Sequence, residues 1–129
     1  GDLIENDFKT VKIDATLGEL VEVVATSKRN IFPVIDSRNH FQGFVSLEDI
    51  RRDMFKTDQY KTTHVFNFMR SAPAYVYIDE KMDSVMRKFE QTGAWNLPVV
   101  DSEGTFVGFI RKSRVLAVYR QMMADYSTD

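Results

Sequence analysis

No cysteine occurs anywhere in the 129 residues, so neither a disulfide nor a thiolate-held metal can form. Histidine is nearly as scarce. His40 falls in a turn pattern and His64 in a polar stretch, so no paired-imidazole metal site is expected. Neither sign of charge dominates: 17 Lys and Arg stand against 19 Asp and Glu, which argues against a nucleic-acid module. Lys28-Arg29, Arg51-Arg52 and Arg111-Lys112 are dispersed and read as solvated surface. No apolar run approaches the length of a membrane span, and no leader pattern is visible. A Gly-Lys-Ser/Thr phosphate loop is absent, which disfavours ATP hydrolysis. No nucleophile, base and orienter stand out together, so the expectation is a protein that is not an enzyme. The chain opens on Gly1 rather than Met, and it reads as an excised piece of a longer protein.

What is present is a repeat. Sliding the sequence by 65 residues lays residues 11–55 on residues 76–120 without a gap. Ten pairs are identical: Val11/Val76, Ile13/Ile78, Asp14/Asp79, Pro33/Pro98, Val34/Val99, Asp36/Asp101, Ser37/Ser102, Phe41/Phe106, Gly43/Gly108 and Phe44/Phe109. Hydrophobic residues make up 43% of the chain, enough for a folded core over the whole length. Either half alone would be marginal.

Each copy reads locally as β-α-β-β-α. Residues 11–13 and 74–78 are short β-rich runs. Leu17, Leu20, Val21 and Val24 recur at helical spacing behind a Thr16/Glu19 capping box, and Met82, Val85, Met86 and Phe89 do the same in the second copy. Strands are expected at 31–35 and 41–46, and at 97–100 and 106–111. Asn39 and Gly104 hold equivalent turn positions, and both residue types accept a left-handed backbone. Closing helices are expected over 47–55 and 112–124. Residues 65–69 read as a helical lead-in to the second copy. The organisation expected is a first repeat at 1–56, a polar linker at 57–64 and a second repeat at 65–129. The fold class is α+β, with the two repeats related by pseudo-twofold symmetry. Facing repeats bury each other's apolar surface and leave a pair of clefts, a common setting for ligands.

The phrase Pro33-Val34-Ile35-Asp36, a turn, and then Gly43-Phe44-Val45-Ser46-Leu47-Glu48-Asp49 resembles the fingerprint of the cystathionine-β-synthase (CBS) domain family. Pro98-Val99-Val100-Asp101 and Gly108-Phe109-Ile110 repeat it. The resemblance implies a tandem pair acting as a regulatory ligand sensor. Phe8-Lys9-Thr10-Val11, Leu17-Gly18-Glu19-Leu20, Arg29-Asn30-Ile31-Phe32-Pro33-Val34, and Asp49-Ile50-Arg51 with Met54-Phe55 further resemble the cytoplasmic tail of bacterial ClC chloride channels or transporters. That implies an attached transmembrane channel domain, a location at the cytoplasmic face of the membrane, and homodimers formed through the pairs. The alternatives are a structural dimerisation module with empty clefts, or an accessory domain of a different transporter or of a metabolic enzyme.

The resemblance implies that the ligand is AMP, ADP or ATP, and that Asp49 accepts hydrogen bonds from the ribose hydroxyls with Ser46 near ribose and phosphate. An ionised carboxylate suits that task, and a helix start offers amide donors to an anion. The same Ser-x-x-Asp spacing is also a capping box, and the two readings do not exclude each other. The implied adenine slot is drawn from Pro73, Ala74, Tyr75 and Val76 with Ala94, Trp95 and Asn96. Trp95 could equally be a packing residue. Tyr75 and Tyr77 are read as facing opposite ways. The second copy has Arg111 and Arg114 where Ser46 and Asp49 stand. These arginines, with Arg29 beside them, either contact phosphates at that degenerate site or form a solvated face, so one competent site is expected.

Overall fold

A computed structural model describes residues 3–127 of the chain. The outermost ends of the two expected repeats, residues 1–2 and 128–129, lie outside the described residues. In chain order the elements are β1 (Ile4–Glu5), β2 (Val11–Lys12), α1 (Leu17–Thr26), β3 (Ile31–Ile35), β4 (Phe41–Ser46), α2 (Leu47–Ile50), β5 (Val76–Tyr77), α3 (Met82–Thr92), β6 (Asn96–Val100), β7 (Phe106–Arg111) and α4 (Lys112–Ser127). They form two compact units. Residues 7–72 with 104–106 make the first, and the described residues among 1–6, 73–103 and 107–129 make the second.

The first unit carries a three-stranded sheet in the order β2-β3-β4. β2 runs parallel to β3, with Val11 opposite Val34, and α1 is the crossover such a pair requires. β3 and β4 form an antiparallel hairpin with Phe32 opposite Val45. Its turn residue Asn39 has φ of 64°, the left-handed conformation expected there and matched by Gly104 at 84°. At the head of α1 the Thr16 hydroxyl accepts from the Glu19 amide, and the Glu19 carboxylate accepts from the Thr16 amide, each at 3.2 Å. The apolar stripe of α1 then meets the sheet. Leu17, Leu20, Val34, Val45, Ile50 and Val65 are fully buried together.

The second unit carries a four-stranded sheet in the order β1-β7-β6-β5. β5 and β6 are parallel, with Val76 opposite Val99, as in the first unit. Its core gathers Val85, Met86 and Phe89 of α3, Leu97 and Val99 of β6, Ile110 of β7 and Val115 of α4.

Several expectations need correction. The first-copy strand stops at Lys12, and the run at 74–78 is a strand only at Val76–Tyr77. α2 ends at Ile50 instead of residue 55, and residues 51–55 continue as turns. Beyond Ile50 the sequence Arg51-Arg52-Asp53 offers no apolar side chain to the core, and Phe55 projects into solvent. α4 has Val115, Leu116 and Tyr119 to bury and runs on to Ser127. The lead-in at 65–69 is a single 3₁₀ turn at Val65–Asn67. The polar stretch before it is structured. The Thr63 and Tyr60 carbonyls accept from the Leu17 and Gly18 amides, which occupies two of the donors that every helix start leaves over.

β1 was not foreseen. Ile4 and Glu5 pair antiparallel with Ile110 and Phe109 of β7, 106 and 104 residues further on. The equivalent of Glu5 one repeat later is Arg70, which bridges Phe44 of β4 in the first unit. Each repeat therefore lends its leading segment to the sheet of the other copy. Gly43 and Gly108 permit this. A Cβ on Gly43 would stand 2.5 Å from the Arg70 carbonyl oxygen, and one on Gly108 would run into Glu5 in the same way.

Candidate functional site

Ser46 closes β4 with extended backbone (φ −99°, ψ 154°) and opens α2. Its hydroxyl accepts from the Asp49 amide at 3.3 Å, while its own amide donates to Asp49 Oδ2 at 3.2 Å. The capping-box geometry is thus present in full. The capping bonds hold the Asp49 carboxylate at the start of α2 and leave Oδ1 for other partners.

What faces it is Arg70, a residue that sequence reasoning missed. Arg70 Nε donates to Asp49 Oδ1 and Oδ2 at 2.9 and 3.0 Å, and Nη2 lies 2.6 Å from Oδ1. The backbone fixes this reach. The Arg70 amide donates to the Phe44 carbonyl at 2.8 Å, and the Phe44 amide donates back to Arg70 at 2.9 Å. The Asp49 side chain is only 10% exposed and that of Arg70 is 66% exposed. Burial pushes the Asp49 carboxyl upward, but Arg70 and the Ser46 amide and hydroxyl outweigh it and hold the group below its ordinary value. Asp49 is therefore an anion at neutral pH.

The helix start contributes less than expected. α2 is four residues long, so its dipole is small. Two of its first amides are already donated, Leu47 to the Asn30 carbonyl at 2.8 Å and Asp49 to Ser46. The positive partner an anion would meet beside Asp49 is the Arg70 guanidinium.

In the second unit the leading segment also forms an ion pair, but with a different position of the repeat and with its own charge reversed. Arg111 stands in place of Ser46 and Glu5 in place of Arg70, and Arg111 Nη2 lies 3.2 Å from Glu5 Oε1. Lys112 donates to the Trp95 carbonyl at 2.9 Å, as Leu47 does to Asn30. Arg114 is exposed on α4. Arg29 belongs to the first unit, where it pairs with Asp7 and lies 4.5 Å from the centre of the Phe8 ring.

Of the adenine-slot residues, Trp95 is 71% exposed, with Lys112 Nζ 5.3 Å from its ring centre. Pro73, Tyr75 and Asn96 are exposed, Ala74 and Ala94 pack partly on the second core, and the Val76 side chain is within that core. Tyr75 and Tyr77 are both exposed, not opposed. Residues two apart on a strand share a face, and Val76 between them takes the buried one. The second unit also has a pocket of about 180 Å³ lined by Ile4, Val76, Ile78, Met82, Val85 and Glu80 among others. The Glu80 side chain, 9% exposed, accepts from Ser84, from the Tyr77 amide at 3.0 Å and from Lys88 at 2.9 Å. No group of three or more acidic or histidine side chains able to hold a metal occurs among the described residues.

A family model described as the CBS domain matches residues 1–56 and again residues 65–121. Among curated relatives, a homoserine O-acetyltransferase of Methanosarcina acetivorans is 25% identical over 118 residues, covering 92% of this chain and 21% of that protein. The chain spans between 21% and 53% of the length of the curated relatives it matches at this level. Among solved structures, Staphylococcus aureus OpuCA superposes with a TM-score of 0.73 at 25% identity, covering 95% of this chain and 99% of that one. The cytosolic domain of the Mg²⁺ channel MgtE, solved in complex with ATP, gives a TM-score of 0.68 at 26% identity, covering 90% and 46%.

Proposed function

Because this chain belongs to the CBS domain family and carries two copies of the domain, the regulatory modules of that family are the starting point, and we propose that it senses an adenine nucleotide through Ser46 and Asp49. The observation that carries this is the Asp49 carboxylate itself. It is ionised, mostly buried, and held at the start of α2 by the Ser46 capping bonds. A carboxylate so held suits a ribose diol, which needs two acceptors side by side. The ATP complex of the MgtE cytosolic domain supports the choice of ligand class. AMP, ADP and ATP are the candidates. Regulation follows only from a difference in affinity between two arrangements of the module, so occupancy must be coupled to an attached domain. The phrases around Phe8–Val11 and Arg29–Val34 favour a chloride-transporting membrane domain as that partner, which would put the module at the cytoplasmic face. No helix among the described residues is long and apolar enough to cross a membrane.

Calorimetric titration with AMP, ADP and ATP tests the nucleotide reading. A ligand at 100 times its dissociation constant should stabilise the fold by about 2.7 kcal/mol. Asp49→Ala should weaken binding at least about tenfold. No heat and no thermal shift with any of the three at millimolar concentration would discard it. Affinity unaltered by Asp49→Ala would reduce Asp49 to a cap. The role given to Trp95 and its neighbours in reading adenine is checked separately. Titration should quench the fluorescence of the single tryptophan.

A second reading, a homodimer formed through the module, is favoured by α4. Met122, Met123 and Tyr126 are exposed together near its end, a patch that suits a second copy. Light scattering of wild type and of Met122→Glu/Met123→Glu distinguishes the two states.

A further inference from the structure

We propose that Arg70 is a specificity-determining residue of this site, making it select a phosphorylated nucleotide over the bare nucleoside by exchanging its partner from Asp49 to phosphate. The proposal rests on the nucleotide reading of Asp49. A carboxylate offers about four lone-pair positions. The Ser46 amide takes one on Oδ2, and the Arg70 fork takes Oδ1 twice and Oδ2 once. A ribose diol needs one position on each oxygen, so it cannot bind Asp49 side by side while the fork stays. Binding therefore releases the guanidinium from a mostly buried anion, and something must replace that anion. A nucleoside brings only neutral hydroxyls to the exchange. A nucleotide brings phosphate oxygens, to which a guanidinium makes the same bidentate, charge-assisted bonds.

Three features make the exchange feasible. The Arg70 backbone is pinned to Phe44 by two hydrogen bonds, so the side chain swings from a fixed point. Its side chain is 66% exposed, so solvent surrounds most of it. The ribose diol and 5′-phosphate of a nucleotide are separated by about the length of an arginine side chain, so one residue serves both ends. The second unit supplies a natural contrast. Its leading segment presents Glu5, a carboxylate, where the first presents Arg70, and a carboxylate cannot receive phosphate. One nucleotide per chain is the expected stoichiometry.

The experiment is calorimetric titration of wild type and Arg70→Gln with AMP and with adenosine, with Asp49→Asn as reference and melting temperatures recorded for all three proteins. Arg70→Gln keeps the exposed stem and the backbone bonds, so it should fold. The expected result is that adenosine binds tighter to Arg70→Gln than to wild type while AMP binds more weakly, so that the preference for AMP falls at least about tenfold. Asp49→Asn should weaken both ligands alike. Equal losses for AMP and adenosine in Arg70→Gln would show that Arg70 only positions Asp49, and would overturn the proposal while leaving the nucleotide site standing. Unchanged affinities would overturn it as well. If AMP fails to bind wild type, the nucleotide reading falls first and this inference with it.

Discussion

Placing a methyl group on Gly43 probes the segment exchange on which the site depends. In Gly43→Ala the new Cβ would lie 2.5 Å from the Arg70 carbonyl oxygen and 2.8 Å from Met69 Cγ. The Met69 side chain can turn aside. The Arg70 carbonyl cannot, because it accepts from Phe44 at 2.9 Å while the Arg70 amide donates to Phe44 at 2.8 Å. Relief of the clash stretches or breaks that pair of bonds. Two backbone hydrogen bonds at about 0.5–1.5 kcal/mol each set the loss at about 1–3 kcal/mol. Alanine is less flexible than glycine in the unfolded chain and returns about 0.4–1 kcal/mol. The net destabilisation is then about 0–2.6 kcal/mol, centred near 1.3 kcal/mol, and urea unfolding followed by circular dichroism measures it. The displaced segment also carries Arg70 away from Asp49, so the preference for AMP over adenosine should fall along with stability. A Gly43→Ala protein as stable as wild type, with that preference intact, would refute the reasoning.

Two further predictions concern stability. The Glu80 carboxyl is pushed up by partial burial but held below its ordinary value by Ser84, Lys88 and the Tyr77 amide, and Asp49 is likewise lowered. A lowered folded value means stability that is complete above the unfolded pKa and lost as pH falls through the folded one. Unfolding free energy should therefore be level near neutrality and decline from about pH 5 downward, and Glu80→Gln should flatten that decline; an equal slope in the variant would remove Glu80 as its source. Thr16→Ala, which removes one half of the α1 capping box, should cost about 1 kcal/mol in urea unfolding, and no measurable loss would show that the Thr63 and Tyr60 carbonyls secure α1 without it.

The sequence by itself determined whatever is settled within a few residues or by strict period. The 65-residue repeat marks two copies of one scaffold, and short runs of apolar, β-prone residues bounded by turn residues place β3, β4 and β7 at their observed bounds. The Thr16/Glu19 and Ser46/Asp49 boxes are legible because a short side chain bonds an amide three residues away. The CBS fingerprint is legible for the same reason, since it is a run of adjacent residues. Only the tertiary structure decided where the leading segments go. A two-residue strand such as Ile4–Glu5 has no period to read, and it forms because the edge of β7 offers unpaired backbone groups. Arg70 meets Asp49 from 21 residues away, and Glu5 meets Arg111 from 106. No local pattern encodes partners at that separation. The sequence thus supplied the carboxylate, and the exchange of segments supplied the charge that stands against it.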